Sequence, residues 1–187
     1  MGTTGRGASV DWTTLVATLG GGALALSGTI LADVLRHHDE KDRSREANRR
    51  SLYIDFVSAV GVCHTRLRQI AEGSETPSNR EVSTRAALAD AGIYEARERL
   101  FIDATSTVAG AGQAMYEQLR ALRRVVAAGA SISSASFHDA YHPYLDAVWH
   151  YRRYVREELG TKALSPDTFG WPSWNGRERC DLCRPSQ

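Results

Sequence analysis

The sequence predicts an all-α protein in which an N-terminal transmembrane helix continues into an antiparallel three-helix bundle and ends in an irregular C-terminal tail. Three observations predict this architecture. Residues 12–32 carry no charged side chain, over about the length that a helix needs to cross a hydrocarbon core. Apolar residues then recur every three or four positions from residue 52 to residue 159, as on one face of a helix. This periodicity is lost from residue 161, where proline, glycine and tryptophan are frequent.

The chain begins with a polar stretch and the anchor. Residues 1–10 are rich in glycine, threonine and serine and are expected to be disordered. The transmembrane anchor is assigned to residues 11–35. Its glycines and hydroxyl side chains weaken insertion, so a buried helix of a soluble protein and a cleaved signal peptide stay open as alternatives. The signal peptide lacks its usual basic start, since only Arg6 precedes the apolar run.

The flanking charges predict how the anchor is oriented. Lys and Arg are frequent between residues 36 and 50, whereas Arg6 stands alone before the span. Positive charge stays on the cytoplasmic side, which predicts a single-pass plasma-membrane protein with its N-terminus outside and its C-terminus cytoplasmic. Membrane lipid is therefore an expected partner. A stripe of small residues every fourth position lets two such helices approach closely and predicts a homo-oligomer; the stripe comprises Ala17, Gly21, Ala25 and Thr29.

The remaining chain is divided into a charged stalk, residues 36–50, a helical bundle, residues 51–160, and the tail, residues 161–187. The first bundle helix continues the stalk to residue 72 and carries an apolar stripe of Leu52, Phe56, Val60, Cys63, Leu67 and Ile70. The second is predicted as one long helix that ends before Gly129, with a kink at Gly110 and Gly112. The third is predicted as a short turn before His142 and a main helix from Pro143, because proline favours the first turn of a helix.

The third helix carries a possible metal-binding row. His138, His142, Asp146 and His150 follow one another at intervals of four residues. Two imidazoles one turn apart share a helix face and can chelate one metal ion, and a carboxylate one turn on can add a third ligand. The row drifts around the helix, so its four members cannot all reach one ion, and Pro143 disturbs the first pair. The alternative is an ordinary polar helix face.

The tail carries a second candidate, the C-x-x-C pair Cys180 and Cys183. Two thiolates at this spacing fill two of the four tetrahedral positions of zinc. The sequence shows no second pair nearby, although two chains of a dimer could together supply four thiolates to one zinc ion. Flanking arginines 177, 179 and 184 are expected to lower the thiol pKa, which favours a thiolate or a redox role. An inert pair is the remaining alternative.

Composition and missing motifs exclude several classes of function. The chain has 23 Lys and Arg against 22 Asp and Glu, which gives no basic excess for nucleic-acid binding. No G-x-S-x-G, phosphate-binding glycine loop or H-E-x-x-H occurs, so the protein is predicted not to be an enzyme. Three cysteines are too few for a disulfide scaffold and suit a reducing compartment.

The start of the bundle carries a resemblance. After the anchor and the stalk, Arg49, Arg50, Tyr53 and Phe56 form an R-R-x-x-Y-x-x-F pattern. This first third of the chain resembles uncharacterised actinobacterial single-pass membrane proteins with a charged stalk and a cytoplasmic helical region. The resemblance implies a membrane-anchored helical protein. It carries over no active site and does not extend to the C-terminal tail.

Together these features predict a membrane-anchored, non-enzymatic helical protein that acts through contacts with an unknown protein partner. The alternative is a metal-binding or redox-sensing protein that uses the C-x-x-C pair. No cofactor is assigned beyond a candidate zinc ion, and its candidate ligands are Cys180, Cys183, His138 and His142.

Overall fold

The computed structural model describes residues 12–74, 76–174, 176–177, 180 and 183, except for the side chains of residues 12–35, 38, 39 and 42. The helices are α1 (Trp12–Glu72), α2 (Pro77–Asp90), α3 (Ile93–Asp103), α4 (Ser106–Ala127) and α5 (Ala135–Glu158), followed by a 3₁₀ turn (Pro166–Phe169). The described residues contain no strand, which confirms the all-α class. The chain divides into two compact units, Met1–Arg45 and Glu46–Gln187.

The first unit contains the N-terminal part of α1. The predicted anchor, including its small-residue stripe, lies outside the described side chains, so the anchor stays a prediction. Within the part of the chain that is fully described, no helical stretch combines the length and apolar character needed to cross a bilayer. The described side chains between residues 36 and 50 are exposed, as predicted for a solvated stalk.

The second unit has one hydrophobic core, and the apolar periodicity of the sequence located it. Every member of the predicted α1 stripe is buried: Leu52, Phe56, Val60, Cys63, Leu67 and Ile70. The α4 residues Val108, Met115, Leu119, Leu122 and Val126 and the α5 residues Tyr144, Val148 and Tyr151 complete the centre of the core. Burial raises the pKa of the Cys63 thiol to about 12, so this cysteine is a core residue, as predicted.

The prediction of a three-helix bundle is wrong in the number of helices. The predicted second helix is divided into α2, α3 and α4. Gly92, with φ +65°, separates α2 from α3, a conformation that side chains disfavour. The second break lies at Thr105, which has an extended backbone. Its hydroxyl accepts a hydrogen bond from the Val108 N–H, so Thr105 is the N-cap of α4.

The prediction that Pro143 begins the main part of the third helix is also wrong. The helix α5 starts at Ala135, where the Ser134 hydroxyl accepts a hydrogen bond from the Phe137 N–H at 3.3 Å. It then continues through Pro143 to Glu158. Proline cannot donate a helical hydrogen bond, but the buried side chains that follow, from Tyr144 to Tyr151, keep this part of α5 helical by packing into the core.

A polar cluster joins three helices beside the core. The Glu158 carboxylate, near the end of α5, accepts hydrogen bonds from the Tyr53 hydroxyl of α1 and from the Thr105 hydroxyl at the start of α4. Arg49 lies 3.8 Å from the same carboxylate. The Tyr151 hydroxyl donates to the Tyr53 carbonyl oxygen at 3.2 Å. These bonds fix the C-terminal end of α5 against α1 and α4.

Gly112 allows α4 to pack closely against its neighbours. The helix α4 runs through both Gly110 and Gly112, which were predicted to kink it. A Cβ atom on Gly112 would overlap the Leu100 side chain and lie 3.2 Å from the Phe56 ring. A Cβ atom on Gly110 would meet nothing within 4 Å. Gly112 is therefore needed for packing, whereas Gly110 is not.

These two glycines make a matched pair of variants. Each change to alanine gains the same helix propensity, about 1 kcal/mol, but only Gly112→Ala also overpacks the core, at about 1–3 kcal/mol. We expect the free energy of unfolding of Gly112→Ala to lie about 1–3 kcal/mol below that of Gly110→Ala, from urea unfolding followed by circular dichroism. Equal stabilities would contradict the close packing described for Gly112.

Candidate metal centre

The first half of the site lies on α5. His138 and His142 are one turn apart, and their ring centroids lie 5.6 Å from each other. Because α5 is continuous through Pro143, both imidazoles stay on the same helix face. The predicted disturbance of this pair by Pro143 is therefore absent.

The second half comes from the tail. The Cys183 N–H donates to the Cys180 carbonyl oxygen at 3.2 Å, and the Cys180 N–H donates to the Arg177 carbonyl oxygen at 2.9 Å. Cys180 is buried, with 4% of its surface exposed, and Cys183 is partly exposed. This turn places both sulfur atoms on the side of the tail that faces His138.

The two halves meet in a cluster of four donor atoms. One ligand atom from each of His138, His142, Cys180 and Cys183 lies within 4.8 Å of the other three. The His138 Nδ1 atom is 3.4 Å from the Cys180 sulfur and 3.6 Å from the Cys183 sulfur. Zinc bonds of about 2.3 Å to sulfur and about 2.0–2.1 Å to nitrogen place tetrahedral sulfur and nitrogen ligands about 3.5 Å apart. The observed distances match this separation.

His142 has two properties that suit a metal ligand, a buried nitrogen atom that is unpaired within the described part of the chain and a lowered pKa. Its Nε2 atom is buried and has no hydrogen-bond partner among the described residues, although a buried polar atom without a partner is costly. Burial lowers the pKa of His142, and the charges of His138 and Arg177 lower it further. The imidazole therefore stays neutral at pH 7, the form that binds metal ions.

The expected activation of the thiols is wrong for Cys183. Loss of solvent around Cys183 and the hydrogen bond with Cys180 raise the pKa of the Cys183 thiol, and together they outweigh the lowering effect of Arg177. The other flanking arginines, at positions 179 and 184, lie outside the described residues. Without a metal ion, Cys183 is thus a protonated thiol, which is a weak nucleophile.

The remaining members of the histidine row have other roles. The Asp146 carboxylate accepts a hydrogen bond from the Trp174 indole N–H at 2.9 Å and lies 3.5 Å from His150 Nε2. His150 is about half exposed. As the helical drift predicted, the row does not converge as a whole. Only its first two histidines join the donor cluster, and Asp146 binds the tail instead.

Two further contacts fasten the tail beside the cluster. The Trp174 ring stacks on the Trp149 ring of α5 at a centroid distance of 4.6 Å and an interplanar angle of 18°. Gly176 has φ +81°, and a Cβ atom there would lie 2.5 Å from the His142 carbonyl oxygen. The tail therefore approaches α5 at a distance that only glycine allows. Gly176 was not among the residues predicted for this site; the signal for it in the sequence is its position four residues before the C-x-x-C pair.

The four donors that the sequence offered as candidates come together within one chain. A second chain is therefore not needed to bring four donors to one site. The histidine row and the C-x-x-C pair are independent signals that lie far apart in the sequence, so their meeting depends on how the tail folds back onto α5.

Comparison with known proteins finds no matching family model, no similar curated protein and no similar solved structure. The resemblance to actinobacterial membrane proteins therefore stays a prediction.

The close approach at Gly176 gives a second matched pair. Gly170 also has positive φ, +72°, but a Cβ atom there would meet nothing within 4 Å. Both changes to alanine strain the backbone, and only Gly176→Ala also forces the tail away from His142. We expect hydrogen exchange of the tail amides to rise about 10-fold or more in Gly176→Ala relative to Gly170→Ala, which corresponds to about 1.4 kcal/mol. Equal exchange in the two variants would argue against this contact.

Proposed function

We propose that this protein binds one zinc ion per chain through Cys180, Cys183, His138 and His142, and that the ion fastens the C-terminal tail to α5. One observation carries this proposal: four donor atoms from two separate segments lie within 4.8 Å of one another. Such a cluster of thiols and imidazoles is unfavourable without a cation, since His142 Nε2 then lacks a partner.

The donor set favours zinc over other divalent ions. Two sulfur and two nitrogen ligands in tetrahedral arrangement are typical of zinc. Magnesium and calcium prefer oxygen ligands, and the nearest carboxylate of the row, Asp146, binds Trp174 and His150 instead. All four coordination positions are supplied by protein side chains, which is typical of a structural rather than a catalytic zinc site.

The raised pKa of Cys183 argues against a redox-active thiol, because nucleophilic cysteines have lowered pKa values. Zinc binding displaces the thiol protons and stabilises the thiolates. The protein is accordingly proposed to be non-enzymatic, with the zinc-fastened tail and α5 forming a surface for contacts with another protein.

We further propose that residues 11–35 anchor this helical protein in the plasma membrane, with the zinc site in the cytoplasm. Support comes from the uncharged stretch of residues 12–32 and from the basic residues that follow it. The free cysteines suit a reducing compartment. The small-residue stripe of the anchor favours a homo-oligomer.

Zinc content tests the ligand set. We expect one zinc ion per chain in the purified full-length protein, measured by mass spectrometry of the metal. His142→Gln removes one of the four ligands, and the double variant Cys180→Ser, Cys183→Ser removes two. Each is expected to weaken zinc binding at least about 100-fold. His150→Gln is the control, since His150 lies on the same helix outside the cluster. Zinc retained by His142→Gln, or lost from His150→Gln, would contradict the proposed ligands.

Carbonate extraction tests the anchor separately. Membranes from cells that make the intact chain are washed at high pH, which releases peripheral proteins. We expect the protein to remain in the pellet, and a variant with Leu19→Arg and Leu26→Arg to be released, because each arginine near the centre of a span costs about 2.5–3.5 kcal/mol. Release of the unaltered protein would remove the anchor but leave the zinc site in place.

A further inference from the structure

A groove between α1 and α5 has the properties of a ligand site. It is open to solvent and has a volume of about 440 Å³, within the range of about 300–1,000 Å³ typical of small-molecule pockets. Its floor is apolar and includes Ile54, Val57, Val155 and Leu159. Ile54 is 55% exposed, so the groove leaves a large apolar side chain in contact with water.

The rim of the groove is positively charged. Arg50 of α1 and Arg152 and Arg156 of α5 line it, and no Asp or Glu is among the described residues that do so. The Arg156 Nε atom donates to the Lys162 carbonyl oxygen at 2.8 Å, which holds this guanidinium at the edge of the groove. Guanidinium groups bind carboxylates and phosphates through paired hydrogen bonds. The rim therefore complements an anionic group.

We infer that this groove binds a single-chain amphiphile with an anionic head, such as a free acyl carboxylate. The apolar floor takes the hydrocarbon chain, whose burial is favourable in proportion to the apolar area removed from water, and the arginine rim takes the head. The arginines also exclude cationic amphiphiles of the same length, since like charges repel. None of the groove residues is a proposed zinc ligand, so the ligands of the head group and those of the metal ion are different side chains.

A neighbouring aromatic cavity extends the apolar surface. It encloses about 380 Å³, is lined by Trp149, Trp171 and Trp174, and shares Arg152 and Leu164 with the groove. An acyl chain that enters the groove therefore lies next to tryptophan rings. Because these rings belong partly to the zinc-fastened tail, zinc removal is expected to change this extension more than the groove, whose arginines all lie on α1 and α5.

Photocrosslinking of the full chain tests the groove. The protein is placed in phosphatidylcholine nanodiscs and exposed to a diazirine-bearing dodecanoate, with the corresponding dodecylamine as the charge control. Crosslinked residues are mapped by mass spectrometry. We expect label from the carboxylate on residues 50–57 and 151–164. The combined variant Arg50→Gln, Arg152→Gln and Arg156→Gln is expected to lose that label about 10-fold or more, and Arg68→Gln, on the same helix but outside the groove, to keep it.

A second variant tests the groove by a different kind of substitution, and folding is checked separately for each variant. Val57→Trp fills the groove without changing its charge and is also expected to lose the label. Helix content and zinc content report whether each variant is folded. Label restricted to residues 12–35, equal labelling by the amine, or full labelling of both groove variants would overturn the inference. If the unaltered protein contains no zinc but still takes up the groove label, the metal site alone is refuted.

Discussion

The unbroken course of α5 is the constraint on which the rest of the structure depends. One face of this helix supplies Tyr144, Val148 and Tyr151 to the core. Another face presents Trp149 and Asp146 to the tail, and His138 lies within 3.6 Å of both C-x-x-C sulfur atoms. A break at Pro143 would rotate His138 relative to His142 and separate the donor atoms. Core packing after the proline therefore maintains the geometry of the metal site.

The tail shows what the proposed zinc ion would contribute at this position. Among its described residues only Gly176 and Cys180 are buried, so burial of apolar surface contributes little to holding it. Fixing a backbone costs about 1–2 kcal/mol per residue, and this cost accumulates over the length of the tail. The aromatic contacts of Phe169, Trp171 and Trp174 with Trp149, and the Trp174 hydrogen bond to Asp146, offset part of it. The proposed four-ligand zinc site would supply a large local free energy without requiring a larger core. The bundle itself has an extensive core of its own.

The sequence was informative about composition and periodicity and less so about long-range geometry. The stripe from Leu52 to Ile70 identified the buried face of α1, because a helix buries residues at fixed intervals. The breaks at Gly92 and Thr105 were missed, since alanine-rich segments on both sides continue the same periodicity. Thr105 followed by Ser106 was a capping signal that went unused. The identities of the four candidate ligands were predicted, but their convergence depends on how the tail folds back, which no local pattern encodes.

The environment of zinc in the purified full-length protein tests the central claim most directly, and X-ray absorption at the zinc edge measures it. We predict a first shell of two sulfur atoms at about 2.3 Å and two nitrogen atoms at about 2.0–2.1 Å. A shell of four sulfur atoms would show that two chains share the ion through their cysteines. A shell of oxygen atoms alone would show that the cluster on α5 and the tail does not hold the metal.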